Sequence, residues 1–378
     1  MTRALVLGGG MVGSCMAVDL AADPSFQVTV ADRRPQALAR LQAQHGLAIT
    51  KADLADPASV RKLAAGYDIV LGALSSVLGL QTLRAVIEAG RDYVDISFMA
   101  EDAMELSPLA EKAGVCAVID CGVAPGMSNL MCGYAAGRLD PCQSLEIYVG
   151  GLPIERRWPY QYKAGFAPSD VIEEYTRPAR LVVSGRITVK EALSEPELLD
   201  FPGVGTLEAF NTDGLRSLIR TLGQVPDMKE KTMRYPGHIE LMRVLRETGF
   251  FSKEAVTVGG QNLRPLDLTS ALLFPKWTYS EDEGDLTVMR VIVRGRENGR
   301  SRTYAWDLLD HHDPKSGFRS MSRTTAFPAT IMARFLAEGR FRRPGVHPPE
   351  IPGREPGLLE AMLEELQKRG VRFHARVE

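Results

Sequence analysis

The stretch Arg3-Ala4-Leu5-Val6-Leu7-Gly8-Gly9-Gly10-Met11-Val12-Gly13 decides the fold. Its first half is an apolar run of strand length, and its second half is a G-x-G-x-x-G turn. Helix-competent residues follow (Ser14 to Ala21), and a second strand pattern, Gln27-Val28-Thr29-Val30-Ala31, ends at Asp32. Strand, glycine turn, helix, strand and acid in this register describe a dinucleotide-binding unit. Gly8 allows the tight turn, Gly10 lets backbone approach a pyrophosphate, and Gly13 lets the helix pack on the strand. Met11 and Val12 open that helix, whose unpaired N–H groups attract phosphate. Asp32 lies nineteen residues after Gly13, positioned to accept from a ribose diol. Its carboxylate favours NAD, whereas Arg33 and Arg34 beside it offer a 2′-phosphate a partner and leave NADP possible.

Outward from this unit, strand patterns at 3–8, 26–31, 47–50, 68–73, 92–96 and 115–119 alternate with helical patterns at 11–22, 35–44, 57–65, 78–89 and 101–113. Asp56-Pro57 reads as an N-cap and first helical residue. The alternation predicts an α/β fold, a doubly wound parallel sheet whose ligands bind beyond the carboxyl ends of the strands. Ala73, Leu74 and Ser75 follow the fourth strand and are small enough to pass under a cofactor. Asp53 is either near the adenine or a turn acid. Asp120 follows the sixth strand, where a nicotinamide belongs. It reads as the group that binds or deprotonates an amine, or as an acid that caps the Gly122–Gly126 turn.

Bulk properties exclude several classes. The chain has 378 residues, a length that suggests two domains, with 45% hydrophobic and 24% charged residues and a formal net charge of −2. That balance predicts no nucleic-acid or anionic-membrane partner. Met1-Thr2-Arg3 runs straight into the first strand, and no apolar run is long enough to span a bilayer. Five cysteines without a C-x-x-C pair predict reduced thiols and a cytoplasmic setting. No H-E-x-x-H or comparable spacing exists, so no metal site is expected.

Beyond residue 140 the pattern changes to α+β. Strand patterns lie at 145–149, 180–183, 286–294 and 302–307, with Arg296-Glu297-Asn298-Gly299 as a hairpin turn. Helical patterns at 324–338 and 355–369 follow. Four segments are unusually polar: Tyr162–Phe166, Glu173–Ala179, Phe210–Arg216 and Lys231–His238. Between them they supply a cation for a substrate carboxylate and acids for an ammonium. Lys163 is either a carboxylate partner or, desolvated, a base. Arg234 suits a bidentate carboxylate clamp or pairs with a structural carboxylate, and His238 is a proton relay or a satisfied histidine near a helix start.

The motifs Asp120-Cys121-Gly122-Val123-Ala124-Pro125-Gly126, Gly150-Gly151-Leu152-Pro153, Tyr162-Lys163, Glu174-Tyr175-Thr176-Arg177-Pro178-Ala179, Phe210-Asn211-Thr212-Asp213-Gly214 and Arg234-Tyr235-Pro236-Gly237-His238 occur in order. With the glycine fingerprint they make the chain resemble the saccharopine dehydrogenase-like family, nearest its lysine ε-dehydrogenating members. The resemblance implies a Rossmann domain (1–125), an α+β substrate and dimerisation domain (126–322) and a C-terminal helical segment (323–378) returning to the first domain. It implies NAD-dependent oxidation of the ε-amine carbon of L-lysine by a homodimer. Asp120, Lys163 and His238 would be catalytic, and Phe98, Thr212, Asp213 and Arg234 would bind substrate. Phe98 stands where saccharopine-forming members carry tyrosine, which argues against saccharopine. A saccharopine reductase-like activity and a non-catalytic NAD sensor are the alternatives.

Overall fold

The computed structural model describes residues 1–378. They divide into two compact units, Met1–Arg138 with Ser322–Phe373, and Leu139–Met321 with His374–Glu378.

In the first unit β1 (Thr2–Leu7), β2 (Phe26–Asp32), β3 (Ala48–Lys51), β4 (Ile69–Gly72), β5 (Asp92–Asp95) and β6 (Cys116–Val118) alternate with α1 (Met11–Ala21), α2 (Pro35–His45), α3 (Pro57–Ala64), α4 (Gly79–Glu88) and α5 (Ser107–Ala113). All strand pairs are parallel, and the order is Gly345–His347, β6, β5, β4, β1, β2, β3. Strand order reverses at β1 between β2 and β4, which opens a crevice at the carboxyl ends of those strands. Ala4 to Leu7 are fully buried, because helices cover both faces of a parallel sheet and both must be apolar. Leu5 and Leu7 pack with Val70, Leu83, Val86 and Ile87, each contributing on the order of 1.5–3 kcal/mol on burial. Asp56 caps α3, accepting from the backbone N–H of Ala58 and Ser59 at 3.0 and 3.1 Å.

The seventh strand, Gly345–His347, has no readable signal. Three residues between Pro344 and Pro348 form a strand only because β6 offers them an edge. The unit also extends past residue 125, through α6 (Met127–Ala136). Arg334 pairs with Asp19 at 2.8 Å and Asp23 at 3.1 Å, and Arg369 with Asp19 at 2.7 Å, so residues from the far end of the chain hold the α1 region.

The second unit is built on a nine-stranded mixed sheet. At its centre β7 (Cys142–Pro153) runs parallel to Asp227–Arg234 and antiparallel to Asp285–Glu297. Asp285–Glu297 turns through Asn298-Gly299, both at positive φ (52° and 77°), into Arg300–His311. Such a turn needs left-handed residues, and Asn-Gly supplies them. Gly205–Asn211 and Asp227–Arg234 pair antiparallel, so two segments whose polarity marks them as site loops are partly strand. The helix Ser320–Ala337 starts four residues before the pattern predicts. Asp285, thirty-five residues earlier, caps it by accepting from the N–H of Ser320 and Met321 at 2.6 and 2.9 Å. The last strand, Phe373–Val377, joins Arg300–His311, so the chain's final residues are extended rather than helical. No helix is long and apolar enough to cross a membrane.

A methyl on Gly13 would collide with the carbonyl oxygen of Gly8, itself at φ +102°. The Gly8 backbone and the Ala73 Cβ, at 3.1 Å, leave no flexible atom to yield. Gly13→Ala is expected to lower the unfolding free energy by about 1–3 kcal/mol, read from the denaturant midpoint. An unchanged midpoint would remove the packing role of this glycine.

Candidate functional site

In the first unit the glycine turn, Asp32, Ala73–Ser75, the Ser97-Phe98 loop and Asp120 all lie at carboxyl ends of the parallel strands. Gly8 N–H donates to the Ala31 carbonyl and Ala73 N–H to the Leu7 carbonyl (2.8 and 2.9 Å), tying the turn to both neighbouring strands. A Cβ on Gly10 would meet nothing nearer than the Arg34 guanidinium at 3.8 Å. The space over Gly10 at the α1 N-terminus therefore fits a pyrophosphate, with Met11 exposed at its rim and Val12 buried beneath.

Asp32 is more committed than its position suggests. Oδ1 accepts from Arg34 N–H (2.8 Å) and Nε (3.1 Å), and Oδ2 from Gly9 N–H (2.8 Å) and Arg34 Nη2 (3.0 Å). Burial pushes the carboxyl up, but Arg34 and the two backbone donors outweigh it and hold Asp32 below the usual range. A carboxylate has about four acceptor sites, all used here, so a ribose diol binds it only if the exposed Arg34 swings away. Its charge is neutralised, which weakens the preference for NAD inferred from an unpaired acid. Asp53 accepts from Ala55 N–H at 3.0 Å, the turn-acid alternative.

Asp120 is 2% exposed and sits at φ 50°, left-handed backbone that aspartate adopts more readily than most residues. The following Cys121 N–H donates to the Asp95 carbonyl at 2.8 Å, joining the ends of β5 and β6. Burial pushes the Cys121 thiol up, and Asp120 and Asp95 push it further, so it is no thiolate nucleophile. Phe98 is partly buried, two residues before the exposed Ala100.

In the second unit Arg234 and His238 are brought together by Tyr175, which carries no sequence assignment. Arg234 is 2% exposed, and its Nη2 donates to Glu174 at 2.6 Å, Nε to Tyr175 at 3.1 Å and Nη1 to the Met233 carbonyl at 3.0 Å. Its guanidinium lies 4.5 Å from the Tyr162 ring centre. His238 Nδ1 contacts the Tyr160 carbonyl at 2.8 Å, and Nε2 the Tyr175 hydroxyl at 2.9 Å. A carbonyl can only accept, so Nδ1 carries the proton and Nε2 accepts from Tyr175. Burial, then the charge of Arg234, holds His238 down to about 3. Both nitrogens of this neutral ring are taken, so a proton-relay role has no nitrogen left to use. Arg234 likewise has Glu174 as its carboxylate partner in this structure.

Lys163 donates to Glu283 at 2.6 Å and to the Thr278 carbonyl at 2.9 Å. Burial pushes Glu283 up, but Lys163 and the backbone and hydroxyl of Ser280 hold it at about 2. The Lys163 nitrogen is thus engaged by a carboxylate and a carbonyl of the chain. Asp213 takes Arg180 at 2.8 and 2.9 Å, a bidentate pair that leaves a substrate little to bind. Thr212 donates to Glu230 at 2.6 Å and contacts Thr232 at 2.8 Å. Burial first, with a smaller push from Glu174, raises Glu230 to about 8, so it is neutral in this core. Glu174 and Tyr175 lie in a polar segment and motif that the sequence singles out, but without a role, while Glu230 and Glu283 escaped it, since an acid's partner is chosen by packing. Arg177, three residues from Glu174, and Lys231, beside Glu230, gave no guide to those partners, and Glu283 lies 120 residues from Lys163.

Residues 4–118 match the saccharopine dehydrogenase NADP binding domain and residues 122–371 the saccharopine dehydrogenase C-terminal domain. The chain belongs to the saccharopine dehydrogenase family. Members of that family are NAD(P)-dependent oxidoreductases acting on carbon–nitrogen bonds, and this chain is one of them. It is 23% identical to the Saccharomyces cerevisiae saccharopine dehydrogenase (NADP, L-glutamate-forming), over 97% of this chain and 96% of that one. It is 22% identical to the carboxyaminopropylagmatine dehydrogenase of Synechocystis, over 99% and 97%. The solved structure of the yeast saccharopine dehydrogenase superposes with a TM-score of 0.81 at 20% identity, covering both chains entirely, and shows the shared fold.

The neutral His238 generates a pH prediction. The unfolded histidine titrates near 6.5 and the folded one near 3, so between these values the unfolded state binds more protons. Stability from this residue is therefore complete above about 6.5 and is lost as pH falls towards 3. The unfolding free energy of the wild type should drop more between pH 7 and pH 4.5 than that of His238→Gln. Parallel losses in denaturant titrations at the two pH values would sink this assignment.

Proposed function

We propose that this chain oxidises the amine-bearing carbon of a cationic amino acid, with the ε-amine of L-lysine as its substrate, in the manner of a lysine 6-dehydrogenase. The carrying observation is charge accounting: the two cations available to hold substrate carboxylates, Lys163 and Arg234, are each matched by a carboxylate of the chain, Glu283 and Glu174. A substrate with three carboxylates would have to break those pairs, at several kcal/mol for a buried ion left unpaired. A single carboxylate on a dicationic amino acid asks less of them.

The bound nicotinamide would supply the hydride acceptor. Gly10 and the N-terminus of α1 would hold its pyrophosphate, with Ala73, Leu74 and Ser75 along its length. Asp120 binds the ammonium and accepts a proton from it, because an amine gives up hydride from carbon only when its nitrogen lone pair is free. The Cys121 thiol stays protonated and takes no covalent part. Water added to the imine carbon then releases ammonia and the aldehyde.

A second reading, oxidation of the secondary amine of saccharopine, is favoured by full-length similarity to the yeast enzyme. Purified protein is to be offered L-lysine and saccharopine separately, each with NAD and NADP, while reduced-nicotinamide absorbance is followed. Turnover of L-lysine is expected. Turnover of saccharopine alone establishes the second reading, and nucleotide binding without turnover of either favours a non-catalytic sensor. Asp120→Asn should lower kcat by roughly a hundredfold or more, as expected when a proton acceptor is lost.

Arg34 decides the nucleotide. Covering Asp32, it offers its guanidinium to a 2′-phosphate, and NADP should be accepted alongside NAD. Arg34→Ala should raise KM for NADP at least tenfold while leaving or lowering KM for NAD. Equal changes for both nucleotides would remove Arg34 from the choice.

A further inference from the structure

Asp95, at the end of β5, is the most unusual acid in the molecule. It is fully buried in the first unit. Oδ1 accepts from Ser97 Oγ at 2.9 Å and from the Tyr93 hydroxyl at 3.1 Å, while Oδ2 has no hydrogen-bond partner at all. The group is packed deliberately: a Cβ on Gly72, the last residue of β4, would collide with both the Tyr93 hydroxyl and Asp95 Oδ1. Residues that leave room for a buried acid, yet give one oxygen no donor, favour a proton on Oδ2, since an ionised oxygen without a donor is far more costly.

The next carboxyl is Asp120. β5 and β6 are paired in parallel, with Val94 opposite Val118, so both acids emerge from the same end of adjacent strands. The Cys121 N–H bond to the Asp95 carbonyl locks the two ends together. Tyr93 and Asp120 are the titratable groups acting on Asp95. Burial raises Asp95 most, Asp120 raises it further, and Ser97 and Tyr93 pull it back, leaving it at about 7.

We propose that Asp95 is a positioning residue that titrates as one unit with Asp120 and sets how strongly Asp120 takes a proton from the substrate amine. While Asp95 is protonated, Asp120 is the single anion that meets the ammonium. When Asp95 ionises, like-charge repulsion raises the basicity of Asp120. The step it controls is acid–base only. An N–H bond of the ammonium breaks, its electron pair stays on nitrogen, and an O–H bond forms on Asp120. The proposal rests on amine oxidation as proposed above, but the coupling of the two carboxyls does not.

Two measurements test it separately. In the protein without substrate, NMR of isotope-labelled aspartate carboxyls should show Asp95 titrating near neutrality, and Asp120→Asn should lower that midpoint by about one pH unit or more. An ordinary acidic midpoint, or one indifferent to Asp120→Asn, overturns the pair. In turnover, Asp95→Asn keeps an oxygen for Tyr93 and Ser97 but never ionises. The rise of kcat through neutral pH expected of the wild type should disappear, with kcat about tenfold lower on the alkaline side and KM for the amine little changed. An Asp95→Asn enzyme with the wild-type pH profile overturns the proposal. If the wild type oxidises no amine, the proposed function falls and the carboxyl titration alone judges the coupling.

Discussion

A charged side chain taken out of water must find its counter-charge within the chain, and that constraint organises both units. Arg234 is buried and survives because Glu174, Tyr175 and the Met233 carbonyl surround it. His238 is buried beside that cation and is neutral for the same reason. Lys163 meets Glu283, Arg180 meets Asp213, and Arg334 and Arg369 meet Asp19. An isolated charge at Arg234 or Arg334 would cost several kcal/mol, so those pairs are obligatory once buried, whereas Arg180 is 43% exposed and its pair with Asp213 is worth less. Asp95 and Glu230 are the exceptions, buried acids without a counter-cation, and Asp95 has two donors on one oxygen and none on the other. Where the general rule is broken, a proton is kept instead of a counter-ion.

The same constraint separates the two units in character. The nucleotide edge is made of backbone: a glycine turn, a helix N-terminus and small residues at strand ends. Nothing there must be desolvated to be ready, and only Asp32 and Arg34 hold each other in place of a ligand. The polar segments of the second unit are different. Their charged groups are already paired, so a substrate that uses them competes with the protein's own bonds.

Local patterns carried the first unit almost completely. Buried parallel strands read as apolar runs, and a Rossmann turn needs glycines at fixed spacing, so β1 to β6 and the cofactor loop were legible in Arg3 to Asp120. The strand Gly345–His347 was not legible, because only the free edge of β6 makes it one. In the second unit Asn298-Gly299 announced its hairpin through backbone preference. By contrast Phe210-Asn211 and Lys231–Arg234 looked like loop chemistry, since polar residues on a strand are unreadable without the Glu230, Glu174 and Thr232 that satisfy them.

Sequence alone determined the α/β class, the nucleotide site, the family and Asp120 as the acid at the end of the sixth strand. These depend on spacing along the chain and on residue type, both of which are local. Tertiary structure alone decided which charges are spoken for: Asp32 by Arg34, Arg234 by Glu174, Lys163 by Glu283, and both nitrogens of His238. It also exposed Asp95, an unremarkable acid in Tyr93-Val94-Asp95-Ile96 until β5, β6 and the gap over Gly72 bury it beside Asp120. Ionisation depends on burial and on neighbours that are distant in sequence, and those exist only once the chain has folded.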